Sequence, residues 1–278
     1  MSYRSILVHL DDSPRCAVRV EFAARLAVRH GAHLQGLAPA GVVNLPARVT
    51  PSMTGVPNYV EMAQASLNER AAALVSEFKR RVKDAGLISF DGRVDPDDPV
   101  DSLVRHAGVH DLVVLGQTER TAVASDLNLP ESVLMRAGTP ALIVPFVGSF
   151  DDVAGCIVVA WKATRESARA IHDAMPLLVQ AREVHLMCFE RVGDLRHVSR
   201  LQLNDAHAWL ARHGIEARWH QEPVSGDVGD ALLSRASDLG ADLVVMGGYG
   251  HSRLAEFLLG GVTRRLLAQM TTPVLLSH

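Results

Sequence analysis

Asp242-Leu243-Val244-Val245-Met246-Gly247 is an unbroken apolar run closed by a glycine, and Asp111-Leu112-Val113-Val114-Leu115-Gly116 is nearly the same run again. A short run that is apolar at every position reads as a strand covered on both faces, as in a parallel sheet. Working outward, Ile6-Leu7-Val8-His9-Leu10 has its counterpart in Ile157-Val158-Val159-Ala160-Trp161, and Thr139-Pro140-Ala141-Leu142 in Thr272-Pro273-Val274-Leu275. Matched blocks in one order mean two copies of a domain of roughly 140 residues. The copies span residues 1–147 and 151–278. The join, Val147-Gly148-Ser149-Phe150-Asp151-Asp152, is too short for a loose tether, so the copies are expected to pack together. Extra residues of the first copy fall in Ala38–Pro57, a loop by its content of Pro39, Pro46, Pro51, Pro57, Gly41 and Gly55.

Within each copy such strands alternate with helical patterns. Leu67, Ala71, Leu74, Phe78 and Val82 recur at helical spacing until Gly86, and the helix around Leu203–Arg212 stops at Gly214. Ile215, Ala217 and Trp219 then alternate as a strand. Ser13 and Thr164 stand where an N-cap is expected. Each copy therefore reads as β-α-β-α-β-α-β-α-β, and right-handed crossovers give two tandem Rossmann-like, doubly wound parallel sheets. The last strands, Ala141–Val144 and Val274–Leu276, are apolar and would lie at sheet edges, where they invite pairing.

Composition narrows the function. Of 278 residues, 48% are hydrophobic and 21% charged, as in a globular protein with a sizeable core. The net charge of −3 leaves no basic surplus for a phosphate backbone, so nucleic acid is not an expected partner. No signal peptide or membrane span is read, and a cytoplasmic location is expected. Cys16, Cys156 and Cys188 lie far apart with no C-x-x-C pair, which fits a reducing compartment and points away from a disulfide framework or a structural zinc site.

The chemistry is carried by Met246-Gly247-Gly248-Tyr249-Gly250, then nine residues, then Gly260-Gly261-Val262-Thr263. It follows the fourth strand of its copy, at the end where open α/β sheets take ligands. Gly247 and Gly250 would turn with positive φ and let the backbone approach a ligand. Gly260-Gly261 opens a helical run to Met270, whose free N–H groups would face an anion, with Thr263 adding a hydroxyl donor. His251 would lie at the mouth of this site or be a solvated loop histidine, and Trp161, beside Lys162 at the end of the first strand, could stack on a base or pack half-buried. The alternative is that the glycines only shape a tight strand-to-helix connection.

With these residues in place the chain resembles the universal stress protein family in its tandem form. The family signature is Gly, two residues, Gly, nine residues, Gly, then Ser or Thr, and Gly247, Gly250 and Gly260 match it. The resemblance implies five-stranded sheets ordered 3-2-1-4-5, an adenine nucleotide partner (ATP, with or without Mg), no robust catalysis and a homodimer. Gly261 stands where the family has Ser or Thr, and Lys162 stands where it has an acid at the end of the first strand. A lysine there cannot accept a hydrogen bond but could reach a phosphate. The first copy keeps that acid as Asp11 yet has Gly116-Gln117-Thr118-Glu119-Arg120 and Leu127-Asn128-Leu129-Pro130 in place of the glycine segment. It is read as a half that does not bind ATP.

Other features weigh less. His106 and His110 have the spacing of one helix face but lack further metal ligands. Asp95, Asp97, Asp98 and Asp101 read as a helix start, and Cys188 as core. Walker A, G-x-G-x-x-G and nucleophile-elbow patterns are absent. A weak ATPase on this scaffold would need a placed acid, and the motif segment offers Glu256 alone. An interaction protein without nucleotide is the other alternative.

Overall fold

The computed structural model describes residues 2–41, 56–118, 129–150, 153–191, 200–248 and 261–278. Its contacts form two compact units, Arg4–Val114 and Met1–Tyr3 with Leu115–His278.

The unit Arg4–Val114 runs β1 (Ser5–His9), α1 (Cys16–His30), β2 (His33–Pro39), α2 (Val56–Asp84), β3 (Phe90–Asp95), α3 (Pro99–Ala107) and β4, whose residues Leu112–Gly116 cross its boundary. Its strands are parallel in the order β3-β2-β1-β4. Ile6, Leu7 and Val8 have no exposed surface, as a strand covered on both faces requires. Phe78 and Val75 of α2 lie so close to β2 and β3 that a Cβ at Gly36 or Gly92 would come within 2.8 Å of them. The helix stop expected at Gly86 has positive φ, 78°, and Gly31 ends α1 likewise at 61°, a conformation glycine adopts without strain.

The second unit continues with α4 (Leu129–Ala137), β5 (Ala141–Val144), β6 (Cys156–Ala160), α5 (Arg165–Asp173), α6 (Met175–Leu178), β7 (Glu183–Arg191), α7 (Arg200–Arg212), β8 (Ala217–Val224), α8 (Val228–Asp238), β9 (Leu243–Gly247), α9 (Gly261–Gln269) and β10 (Val274–Ser277). Its strand order is β5-β10-β9-β6-β7-β8. The second copy alone is thus β8-β7-β6-β9-β10, the complete 3-2-1-4-5 order, all parallel. Beyond β10 lies β5, the last strand of the first copy, paired antiparallel. Both expected apolar edges are therefore covered, each by the other, which removes the open edge the sequence left.

Three local expectations need correction. Ser13 does not cap a helix: α1 starts at Cys16 behind Arg15 with no side-chain cap, and the Ser13 hydroxyl donates instead to Asp11 Oδ1 at 2.6 Å. Thr164 does cap α5, in a reciprocal pair with Ser167. His106 and His110 do not share a helix face, because α3 ends at Ala107; His106 Nε2 meets Asp95 Oδ2 at 2.9 Å and His110 Nδ1 meets the His106 carbonyl at 2.8 Å. Ile215 precedes β8, which begins at Ala217. Asp98 caps α3 through the Val100 N–H, as its place in the acidic stretch suggests. Among the described residues, no helix is long and apolar enough to cross a membrane.

Candidate functional site

In a 3-2-1-4-5 sheet the chain leaves strands 1 and 4 in opposite directions, so a crevice opens between their carboxyl ends. In the second copy these strands are β6 and β9, adjacent and parallel, with Ala160 level with Met246. Trp161 and Lys162 follow β6, and Gly247 ends β9. Two of the residue groups expected at the site are therefore brought together.

Gly247 has a different reason from the one expected. Its φ is not positive. A Cβ built on it would lie 2.4 Å from the Glu166 carbonyl carbon and 2.6 Å from the Ser167 nitrogen. The first turn of α5 packs straight onto it, and only glycine allows that approach. Met246 beside it is 6% exposed and belongs to the core. Gly250, His251 and Gly260 lie outside the described residues, as do Glu119, Leu127, Asn128 and Glu256.

The helix expected after the motif is α9, and Gly261 is its first residue. Gly261 is exposed, and a Cβ there would meet nothing within 4 Å. The first-turn N–H groups of α9 have no intrahelical partners, which makes this terminus suited to negative charge. Val262 is half-buried and Thr263 is 4% exposed, so the Thr263 hydroxyl faces the protein more than solvent.

A groove of about 480 Å³ opens beside the end of β6, lined by Trp161, Thr164, Arg165, Ala168, His172 and Trp209 among others. Trp209 packs against His172 and His213 with ring centroids 4.6 and 4.5 Å apart and the ring planes tilted by 56° and 59°. The indole Nε1 of Trp161 is buried and has no hydrogen-bond partner among the described residues. Lys162 and Arg165 are exposed and put positive charge where β6 gives way to α5. Arg165, Glu166, His172 and Trp209 were not singled out in the sequence. Glu166 could have been noticed only from the short turn that separates it from Trp161, because its contact with Gly247 spans 81 positions of chain.

The first copy has a smaller groove of about 270 Å³ at the same place, lined by Asp11, Ser13, Cys16 and Phe78 among others. Asp11, the acid it keeps, is already engaged. Arg19, 2% exposed, reaches Asp11 Oδ1 at 2.8 Å and donates through Nε to the His9 carbonyl at 2.8 Å. Burial opposes ionisation of Asp11, but Arg19, His9 and the Ser13 hydroxyl outweigh it and hold the carboxyl well below its usual range. His9 is pushed down to about 4 by burial, against the pull of Asp11. Gln117, after Gly116, donates to the Leu267 carbonyl at 2.7 Å and accepts from the Phe146 N–H at 2.7 Å. At the start of α4 the second residue is Pro130, which has no N–H to offer an anion.

The repeat is also found by comparison with known proteins. The model of the Universal stress protein family matches residues 2–145 and again residues 157–278. The chain belongs to the universal stress protein family. It is a tandem member, with one family unit in each copy. A universal stress protein of Synechocystis is 24% identical over 229 residues, which is 78% of this chain and 75% of that protein. Among solved structures, a universal stress protein from Archaeoglobus fulgidus superposes with a TM-score of 0.75 at 18% identity, covering 98% of this chain and 95% of its own. A functionally unknown protein from Pseudomonas aeruginosa PAO1 does so with a TM-score of 0.61 at 17% identity, covering 99% and 92%. At such identities these likenesses concern the fold.

Proposed function

We infer that this universal stress protein binds an adenine nucleotide, ATP, in its second copy, residues 151–278, and that its stress-response role is regulatory. The observation that carries this is the position of the two described ends of the glycine segment. Gly247 ends β9 next to the end of β6, and the exposed Gly261 is the first residue of α9. A triphosphate at that terminus would be met by the first-turn N–H groups of α9 and by the exposed Lys162. The base would lie toward Trp161, which lines the groove and offers a stacking face. Gly250, His251 and Gly260 enter this reading from their spacing. ATP brings its own Mg, so the chain need not supply a full ligand set. The first copy, residues 1–147, is read as the half without nucleotide, since Arg19 takes Asp11 and Pro130 and Gln117 take the place of free donors.

The reading is of a binding protein rather than an enzyme, located in the cytoplasm and assembling as a homodimer. Function would follow from nucleotide-dependent conformation or association. The test is direct: purified protein is denatured and the supernatant analysed for released adenine nucleotide, then the refilled protein is titrated with ATP. One nucleotide per chain supports the reading, and none at micromolar ATP overturns it. Hydrolysis of the bound ATP over several turnovers would instead favour an enzyme.

A further inference from the structure

At the opposite end of the second copy's sheet, three strong metal donors converge. We propose that Cys156, Glu183 and His185 form a binding site for a borderline divalent cation of the zinc class. One donor atom from each lies within 4.8 Å of the other two. The strand register places them there. Cys156 starts β6 and is the register partner of Glu183 at the start of β7, and His185, two residues on, points to the same face. The site is separate from the nucleotide site, which follows the other end of these strands, ~13 Å away over four residues of β6.

The state of His185 supports the assignment. It is 2% exposed, and its Nε2 faces Glu183 Oε1 at 3.1 Å. The other nitrogen, Nδ1, faces His220 Nε2 at 3.0 Å. In the tautomer protonated at Nδ1, His185 donates to His220 and turns its Nε2 lone pair toward Cys156 and Glu183, as a ligating histidine held by a second-layer partner does. Thiolate, imidazole and carboxylate together are a zinc-type donor set, with water as fourth ligand. On binding, the Cys156 thiol gives its proton to solvent and ligates as thiolate. The guanidinium of Arg218, 71% exposed, now pairs with Glu183 and is the cation that the metal displaces.

The test uses the full chain without a histidine tag, reduced and freed of metal, titrated with Co²⁺ and then Zn²⁺. One Co²⁺ should bind per chain with a thiolate-to-cobalt charge-transfer absorption, and Zn²⁺ should displace it. Cys156→Ser should abolish the absorption, and Glu183→Gln should weaken Zn²⁺ binding at least ~10-fold while the thermal transition of the apoprotein stays intact. His220→Gln, which touches no ion, should weaken it by ~10-fold to ~100-fold. An absorption that persists in Cys156→Ser would place the metal on Cys16 or Cys188 and overturn the proposal. So would Co²⁺ binding with no thiolate band in the parent protein.

Discussion

Leu142 of β5 stands directly opposite Leu275 of β10 in antiparallel register, and the two leucines are the same position of the two copies. A strand paired antiparallel with its own equivalent has a local two-fold axis, here between these leucines. Gln117 N–H to Val144 C=O and Gly248 N–H to Ser277 C=O, at 2.8 and 2.9 Å, repeat the relation one strand out.

Both leucines have no exposed surface, so Leu142→Ala and Leu275→Ala should each cost ~2–5 kcal/mol. Because they are cross-strand neighbours, the double substitution should deviate from the sum by ~0.5 kcal/mol or more. Urea unfolding of the four proteins checks this, and strict additivity would contradict the pairing.

Gly247 and Gly261 should separate stability from binding. Gly247→Val drives side-chain atoms into the backbone of Glu166 and Ser167 and should lower the melting temperature severely. Gly261→Val meets no atom within 4 Å, so the fold should survive it, with helix propensity changing by less than ~1 kcal/mol. If phosphate approaches the start of α9, that same side chain should weaken ATP binding at least ~10-fold. Calorimetric titration beside a thermal melt distinguishes the two effects.

Asp11 should matter to folding and not to nucleotide. Asp11→Ala strands the buried Arg19 charge and should cost ~3–5 kcal/mol. The number of nucleotides bound per chain should stay at one. A drop in that number with the fold intact would give the first copy a binding role.

Acid should destabilise the protein in two stages. His9 and His30 titrate at about 4 in the folded state against an ordinary 6.5, His9 chiefly through burial and His30 through burial and Arg29. A base with a lowered pKa favours the fold above its unfolded pKa, and that contribution is lost as pH falls from 6.5 toward 4. Asp95 is lowered to about 2: burial opposes this, but Arg105, the Asp97 N–H and His106 prevail. Its contribution is present above 3.8 and lost as pH falls toward 2. Unfolding free energy against pH should lose part of its upper slope in His30→Gln, where His9 still contributes, and part of its lower slope in Asp95→Asn, where Asp11 still contributes.

Ala163 sits between Lys162 and the Thr164 cap with φ of 52°, a left-handed conformation that strains any residue with a Cβ. Ala163→Gly should stabilise the chain by up to ~1 kcal/mol, the relief being partly offset by the looser unfolded state. A melt that falls by several degrees would show that the alanine methyl packs usefully there.

Much of the fold was legible in the residues alone. Apolar runs such as Leu243–Met246 specify buried parallel strands because every position must be dry, and Gly86 and Gly214 specify helix ends because positive φ excludes most other residues. The repeat, and with it the family, needs only linear order. The site was legible as far as local chemistry goes, in the glycine spacing and in Thr164 as a cap. Tertiary structure decided what depends on partners distant in sequence. Nothing near Gly247 indicates that α5 rests on it, nothing near Asp11 indicates that Arg19 turns back to claim it, and Ser13 was drawn to that carboxylate rather than to a helix end. Cys156 and His185 are 29 positions apart and become neighbours only through the register of β6 on β7. The edge strands could be recognised as sticky from their composition, but that each is the other's partner is a matter of three-dimensional symmetry, which a linear pattern does not carry.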